Sequence, residues 1–259
     1  MGIAEMFTGF RRITATSMTA VAVSISDAAL AATIFMGLGD LGPVPGGTRY
    51  SDATAVSADG SVVVGRSNTP ELAQAFRWTV AEGMVSLGGS DSKAFGVSDD
   101  GSVIVGTSKV PGEPQNRAVQ WTVAGMIPLS SSGLVGVARD VSADGSVVVG
   151  WDNPPTGGSQ EAVLWLSSTE MRLGDLPGGN VFSLAEAISA DGSVVVGQAW
   201  GDSGADAMRW TLETGMVGLG CSSVFPVVRF CNATDVSADG SVVVGWRGSE
   251  AFRWTAEGG

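Results

Sequence analysis

Arg139, Asp140, Glu186 and Asp235 are the side chains best placed to do chemistry in this sequence. A pair of carboxyl groups about 5–9 Å apart, one with a raised pKa, is what glycoside hydrolysis asks for. Such a pair needs no imidazole, which matters because the 259 residues include no His. That absence excludes Ser-His-Asp and Cys-His catalysis, His-ligated zinc or haem, and an imidazole pH switch. Five further acids, Asp59, Asp100, Asp144, Asp191 and Asp239, invite a calcium reading. Calcium takes six to eight oxygens, whereas each of these sites offers one carboxylate followed by Gly, a pairing that a hairpin turn already explains. No metal and no cofactor is therefore expected. The Gly-rich stretches Leu38 to Gly47 and Leu173 to Gly179 precede no helix, so they make no phosphate cradle.

The acids sit in a repeat. The segment Val56 to Gly65 (Val-Ser-Ala-Asp-Gly-Ser-Val-Val-Val-Gly) returns from Val97, Val141, Ile188 and Val236. Trp78, Trp121, Trp165, Trp210 and Trp254 follow at spacings of 43, 44, 45 and 44. Each unit reads as four strands, in the first repeat Ala53 to Ser57, Ser61 to Arg66, Ala73 to Thr79 and Met84 to Leu87. Asp-Gly turns the first pair, because Gly takes the positive φ required. The unbroken Val-Val-Val run predicts a strand covered on both faces. Small residues recur on the first strand (Ala53, Ala94, Ala138, Ala185, Ala233), and Trp and Phe lie further out. That gradient suits a blade narrowing toward an axis, with the tryptophans as packing between blades rather than a sugar-stacking platform.

The fold expected is all-β: a five-bladed β-propeller of four-stranded antiparallel blades. The last unit stops before its fourth strand, and Met36 to Gly39 is expected to supply it and close the ring. The alternative is part of a larger propeller. Two residues before each repeat serine stand Ala55, Gly96, Asp140, Ala187 and Asp235, which alternation places on the face of the alanines. Three before it the side chain varies freely: Thr54, Phe95, Arg139, Glu186 and Thr234. Variation among otherwise equal units is where a site is grafted, so Arg139, Asp140, Glu186 and Asp235 are expected at the channel mouth as ligand contacts. Salt bridges along an inner ring are the competing account of the same residues.

The two motifs resemble the HAF-type repeats of bacterial extracellular proteins. Their second element stands here as Gln74-Ala75-Phe76-Arg77-Trp78 and Glu250-Ala251-Phe252-Arg253-Trp254, and more loosely at Ala118-Val119, Ala162-Val163 and Ala207-Met208. The resemblance covers 36 to 259 and implies a secreted or surface location. The His that names the family is replaced by Gln74, Arg117, Glu161, Asp206 and Glu250, so no role of that His carries over.

The N-terminus agrees with export. Arg11-Arg12, a mildly apolar stretch from Ile13 to Ile25 and Ala29-Leu30-Ala31 read as a signal peptide spanning 1–31, leaving 32–259 as the repeat domain. Cys221 and Cys231, ten residues apart in an exported chain, are expected to form a disulfide, with two reduced thiols as the alternative. A net charge of −12 argues against nucleic acid or an anionic membrane as partner. The expected function is a secreted, extracellular or periplasmic, non-catalytic binding or structural module, a monomer with a glycan or protein ligand. A glycan-active enzyme using the channel carboxylates, or a passenger fragment of a larger surface protein, is the alternative.

Overall fold

A serine holds the first hairpin of each repeat. The computed structural model describes residues 35–42, 48–129, 135–154, 157–167, 169–178, 181–202, 204–220 and 230–257. In the first repeat the Ser57 hydroxyl donates to Asp59 Oδ1 at 2.8 Å and accepts the Val62 N–H at 3.0 Å, while the Ser61 N–H donates to the same carboxylate oxygen. The same set recurs at Ser98/Asp100, Ser142/Asp144, Ser189/Asp191 and Ser237/Asp239. Gly60 closes the turn with its N–H on the Ser57 carbonyl and a φ of +74°, as the Asp-Gly pair predicts. The backbone N–H groups of Ser61 and Ser146, then the neighbouring serine hydroxyls, hold Asp59 and Asp144 down to about 2. In Asp239 the Ser237 hydroxyl leads, with the same result of about 2. These aspartates are turn supports. Ser189→Ala strands the buried Val194 N–H and is expected to cost about 1–3 kcal/mol in urea unfolding, whereas Ser193→Ala, on the exposed side, should cost far less.

Five antiparallel sheets follow in chain order. The first holds β1 (Ser51–Val56), β2 (Val63–Asn68), β3 (Ala73–Thr79) and β4 (Gly83–Ser86). The second holds β5 (Ser90–Val97), β6 (Ile104–Lys109), β7 (Asn116–Thr122) and β8 (Gly125–Pro128). The third holds β9 (Gly136–Val141), β10 (Val147–Asp152), β11 (Glu161–Leu166) and β12 (Thr169–Gly174). The fourth holds β13 (Ser183–Ile188), β14 (Val195–Gly201), β15 (Gly204–Thr211) and β16 (Gly215–Gly218). The fifth holds β17 (Cys231–Val236), β18 (Val242–Arg247) and β19 (Glu250–Thr255). Among the described residues no helix is long and apolar enough to cross a membrane.

Apolar side chains from each sheet meet those of the next. Val64 and Ala75 pack on Ala94, Ile104, Val119 and Trp121, and equivalent cores join the second sheet to the third, the third to the fourth and the fourth to the fifth. Trp78, Trp121, Trp165 and Trp210 are all buried, as blade packing requires.

Two expectations are corrected. Met36 to Gly39 is not a strand, and the fifth sheet has three strands among the described residues. Gly39 takes a φ of +86°, and its carbonyl accepts the Ser51 hydroxyl at 2.8 Å rather than a ladder N–H of the fifth sheet. The strict alternation assumed for the innermost strands is also broken. In β1, Ala53 pairs with Gly65 and Ala55 with Val64, so Thr54 is a bulge, and β5, β9, β13 and β17 bulge at the same place. The signal peptide at 1–31 and Cys221 lie outside the described residues. Cys231 is buried at the start of β17 and is not a free thiol.

Candidate functional site

The bulges decide what the inner strands present. The extra residue of each is Thr54, Phe95, Arg139, Glu186 or Thr234, the freely varying position of the repeat. A bulged residue is released from pairing and its side chain is re-aimed, which is why it can vary without harm to the sheet. The result is a continuous stripe across four sheets. Lys93 Nζ lies 3.3 Å from Asp52 Oδ2 and 5.1 Å from the Phe95 ring centre. The Arg139 guanidinium carbon lies 5.0 Å from the centre of the same ring, and its Nε is 3.3 Å from Glu186 Oε2. Burial raises the Glu186 pKa, and the Arg139 charge pulls it back.

Asp140 and Asp235, one residue past the bulge, form a second group. Asp140 accepts the Val141 N–H at 2.8 Å on one oxygen and the Ile188 N–H of the next sheet at 3.0 Å on the other. Burial pushes its pKa up to about 6; the two N–H groups oppose the rise, and the Asp235 charge adds to it. Asp235 accepts the Val236 N–H at 2.8 Å. The four residues expected together thus divide into an Arg139–Glu186 ion pair and an Asp140–Asp235 pair coupled by charge. The bulge, which no residue type announces, separates them.

Sequence reading missed three features. Asp175 accepts N–H groups from Leu176, Phe182 and Trp200, organising the loop before β13. That fold brings Phe182 against Trp200 at 6.2 Å between ring centres, and Phe230 also meets Trp200 at 6.1 Å. Long loops before β13 and β17 were the available signal. In the third sheet Arg172 holds the fully buried Asp152 at 2.7 Å, Glu170 at 2.8 Å and Glu161 at 3.2 Å. A cleft of about 760 Å³ opens between the third and fourth sheets, lined by Leu166, Met171, Arg209, Trp210, Glu213 and Asp239. Its residues belong to ordinary repeat positions, so nothing in their spacing marks it. Among the described residues no cluster of acids or cysteines could hold a metal ion.

No family model matches the chain, and no curated protein matches it. Solved structures do. TolB from Acinetobacter baumannii aligns over 81% of this chain and 53% of its own, with a TM-score of 0.56 and 14% identity. A TolB-like protein from Agrobacterium tumefaciens aligns over 82% and 79%, with a TM-score of 0.53 and 13% identity. The tricorn protease aligns over 80% and 25%, with a TM-score of 0.51 and 8% identity. The chain spans about half the length of the Acinetobacter protein. At such identities the likeness is one of fold: this is an all-β protein whose successive antiparallel sheets match the β-propeller domains of TolB and tricorn protease.

Proposed function

We propose that the chain is a secreted, non-catalytic binding module of the HAF-repeat type, with the stripe Lys93–Phe95–Arg139–Glu186 as its ligand contact. One observation carries the reading. Asp140 has both oxygens on N–H groups of two sheets and Glu186 faces Arg139, so Asp235 lacks a second, unengaged carboxyl with which to form a hydrolytic pair. A general acid or nucleophile has to turn an oxygen toward substrate, and these oxygens hold strands together. What stays adaptable is an aromatic ring with two cations beside it, at a position of the repeat that is free to vary. Export is supported by the signal-like N-terminus and by the resemblance of the motifs. An extracellular glycan is the ligand tested first, since an aromatic face beside charged hydrogen-bonding groups suits a sugar ring.

Affinity electrophoresis of the full chain on a panel of polysaccharides tests this. The expected result is retardation without release of reducing ends, weakened about 10-fold by Phe95→Ala, the size of one lost aromatic contact. Release of reducing ends that disappears in Glu186→Gln would overturn it in favour of a glycan-active enzyme. Weakening by Trp200→Ala alone would move the contact to the aromatic group on the late loops.

A further inference from the structure

The first and last sheets each carry a face built to receive a neighbouring sheet. In the first four sheets the face toward the next sheet is closed: Val64, Val105, Val149 and Val196, with Ala75, Ala118, Ala162 and Ala207, have no exposed surface. On the fifth sheet the equivalent Val244 is 39% exposed and Ala251 is exposed. On the opposite face, Ala94, Ala138, Ala185 and Ala233 are fully covered by the preceding sheet, whereas Ala53 of the first sheet is exposed and Val56 is 56% exposed. Phe76 and Trp78 on that face are enclosed, so its open part is the inner strand and hairpin. Among the described residues, no packing like that between consecutive sheets joins the fifth to the first.

The two open faces match residue by residue. A backbone ladder runs through the hairpins: Ala58 N–H donates to the Asp99 carbonyl, Asp99 to Ala143, Ala143 to Ala190 and Ala190 to Ala238. It ends with the Ala238 N–H as a donor at one end and the Ala58 carbonyl as an acceptor at the other. Asp140 accepts the Ile188 N–H of the next sheet; Asp235 repeats Asp140, and the residue equivalent to Ile188 in the first sheet is Val56. The Thr54 hydroxyl reaches the Ala94 carbonyl of the next sheet at 2.8 Å; Thr234 repeats Thr54, and Ala53 repeats Ala94. The hairpin glycines 101, 145, 192 and 240 each sit on a valine of the preceding sheet, leaving Val242 without such a glycine and Gly60 facing open space.

We propose that the open face of the fifth sheet docks the first sheet of a second copy of this chain, head to tail. The contact is heterologous: the Ala238 N–H meets the Ala58 carbonyl of the partner copy, Asp235 meets its Val56 N–H, and Gly60 seats on Val242. A second copy supplies this chemistry because the complementary face is the chain's own. It replaces the monomer expected from the sequence, and it stands independently of the ligand contact proposed above.

Sedimentation of the full chain from low to high micromolar concentration tests the docking, with two variants at exposed positions. Ala53→Arg blocks the first-sheet face, and Ala251→Arg blocks the fifth-sheet face. The wild type should associate with rising concentration, and each variant alone should remain a monomer. An equimolar mixture should form a one-to-one dimer, because each variant retains the face that the other has lost. Amide exchange on the unmodified protein gives a second reading: the Val56 and Ala238 N–H groups should slow as concentration rises. A wild type that is monomeric throughout, as when the two faces close on each other within one chain, overturns the proposal. So does a mixture that stays monomeric, or association that neither variant affects.

Discussion

Gly150→Ala is expected to lower the unfolding free energy by about 3 kcal/mol, at the upper end of what overpacking costs. Gly150 lies opposite Ala138 at the bulge of β9 and takes no positive φ, so its backbone suits any residue. The obstacle is space. An added methyl would run into the Val137 carbonyl oxygen and crowd the Ala138 Cα, and both are backbone atoms that cannot swing aside. Ala138 and Val149 beside it are fully buried. Gly65, Gly106, Gly197 and Gly245 meet the carbonyls of Asp52, Lys93, Leu184 and Asn232 in the same way. The Gly that ends every Val-Val-Val run is therefore the counterpart of the bulge that re-aims Arg139 and Glu186. Gly125→Ala is the control: its φ is +106° with open space around it, so it carries backbone strain alone and should cost about 1–2 kcal/mol. Urea unfolding of both variants separates the two effects. Equal losses would remove the steric account of the bulge.

Much of the fold was legible because it is written five times. The serine, Asp-Gly and Trp landmarks place the sheets, and the third strand of the first repeat spans Ala73–Thr79 as read from the sequence. The repetition works because each landmark has a local cause: a hydroxyl capping a turn, a glycine with positive φ, an indole wedged between sheets. The bulge was not legible, since a one-residue slip in pairing leaves no trace in residue type beyond the Gly opposite it. Variation among the units then grouped Arg139, Asp140, Glu186 and Asp235 at one channel mouth, and the quartet was read as one cluster. Met36 to Gly39 failed as a strand for a similar reason. Its resemblance to a fourth strand is apolar composition alone, and no strand forms there. Salt bridges along an inner ring were the competing account of the quartet, and Arg139–Glu186 is such a pair, although residue type alone did not name the partners.

Asp140→Asn should abolish a fall in stability of about 3 kcal/mol that the wild type undergoes between pH 4 and pH 6. The sign follows from where the proton sits. An unfolded Asp titrates near 3.9, whereas burial between β9 and β13 raises Asp140 to about 6. Below the unfolded value both states carry the proton and the favourable contribution is complete. As pH rises the unfolded chain ionises first, the folded chain keeps its proton, and stability declines until pH passes about 6. The hairpin aspartates act in the opposite sense. Asp59, Asp144 and Asp239, held at about 2, contribute above the unfolded value and lose that contribution as pH falls toward 2. Glu186 and Asp175, also raised by burial, add to the decline on the alkaline side and remain in the variant, so the difference between the two profiles is the quantity to read. Urea midpoints of wild type and Asp140→Asn across pH 3 to 8 supply it. The curves should diverge through pH 4 to 6 and run parallel above; if they run parallel throughout, Asp140 is not a carboxyl buried at a seam between sheets. A divergence that lessens in Asp235→Asn would show further that the two acids share one field, since removing the Asp235 charge removes part of what raises Asp140.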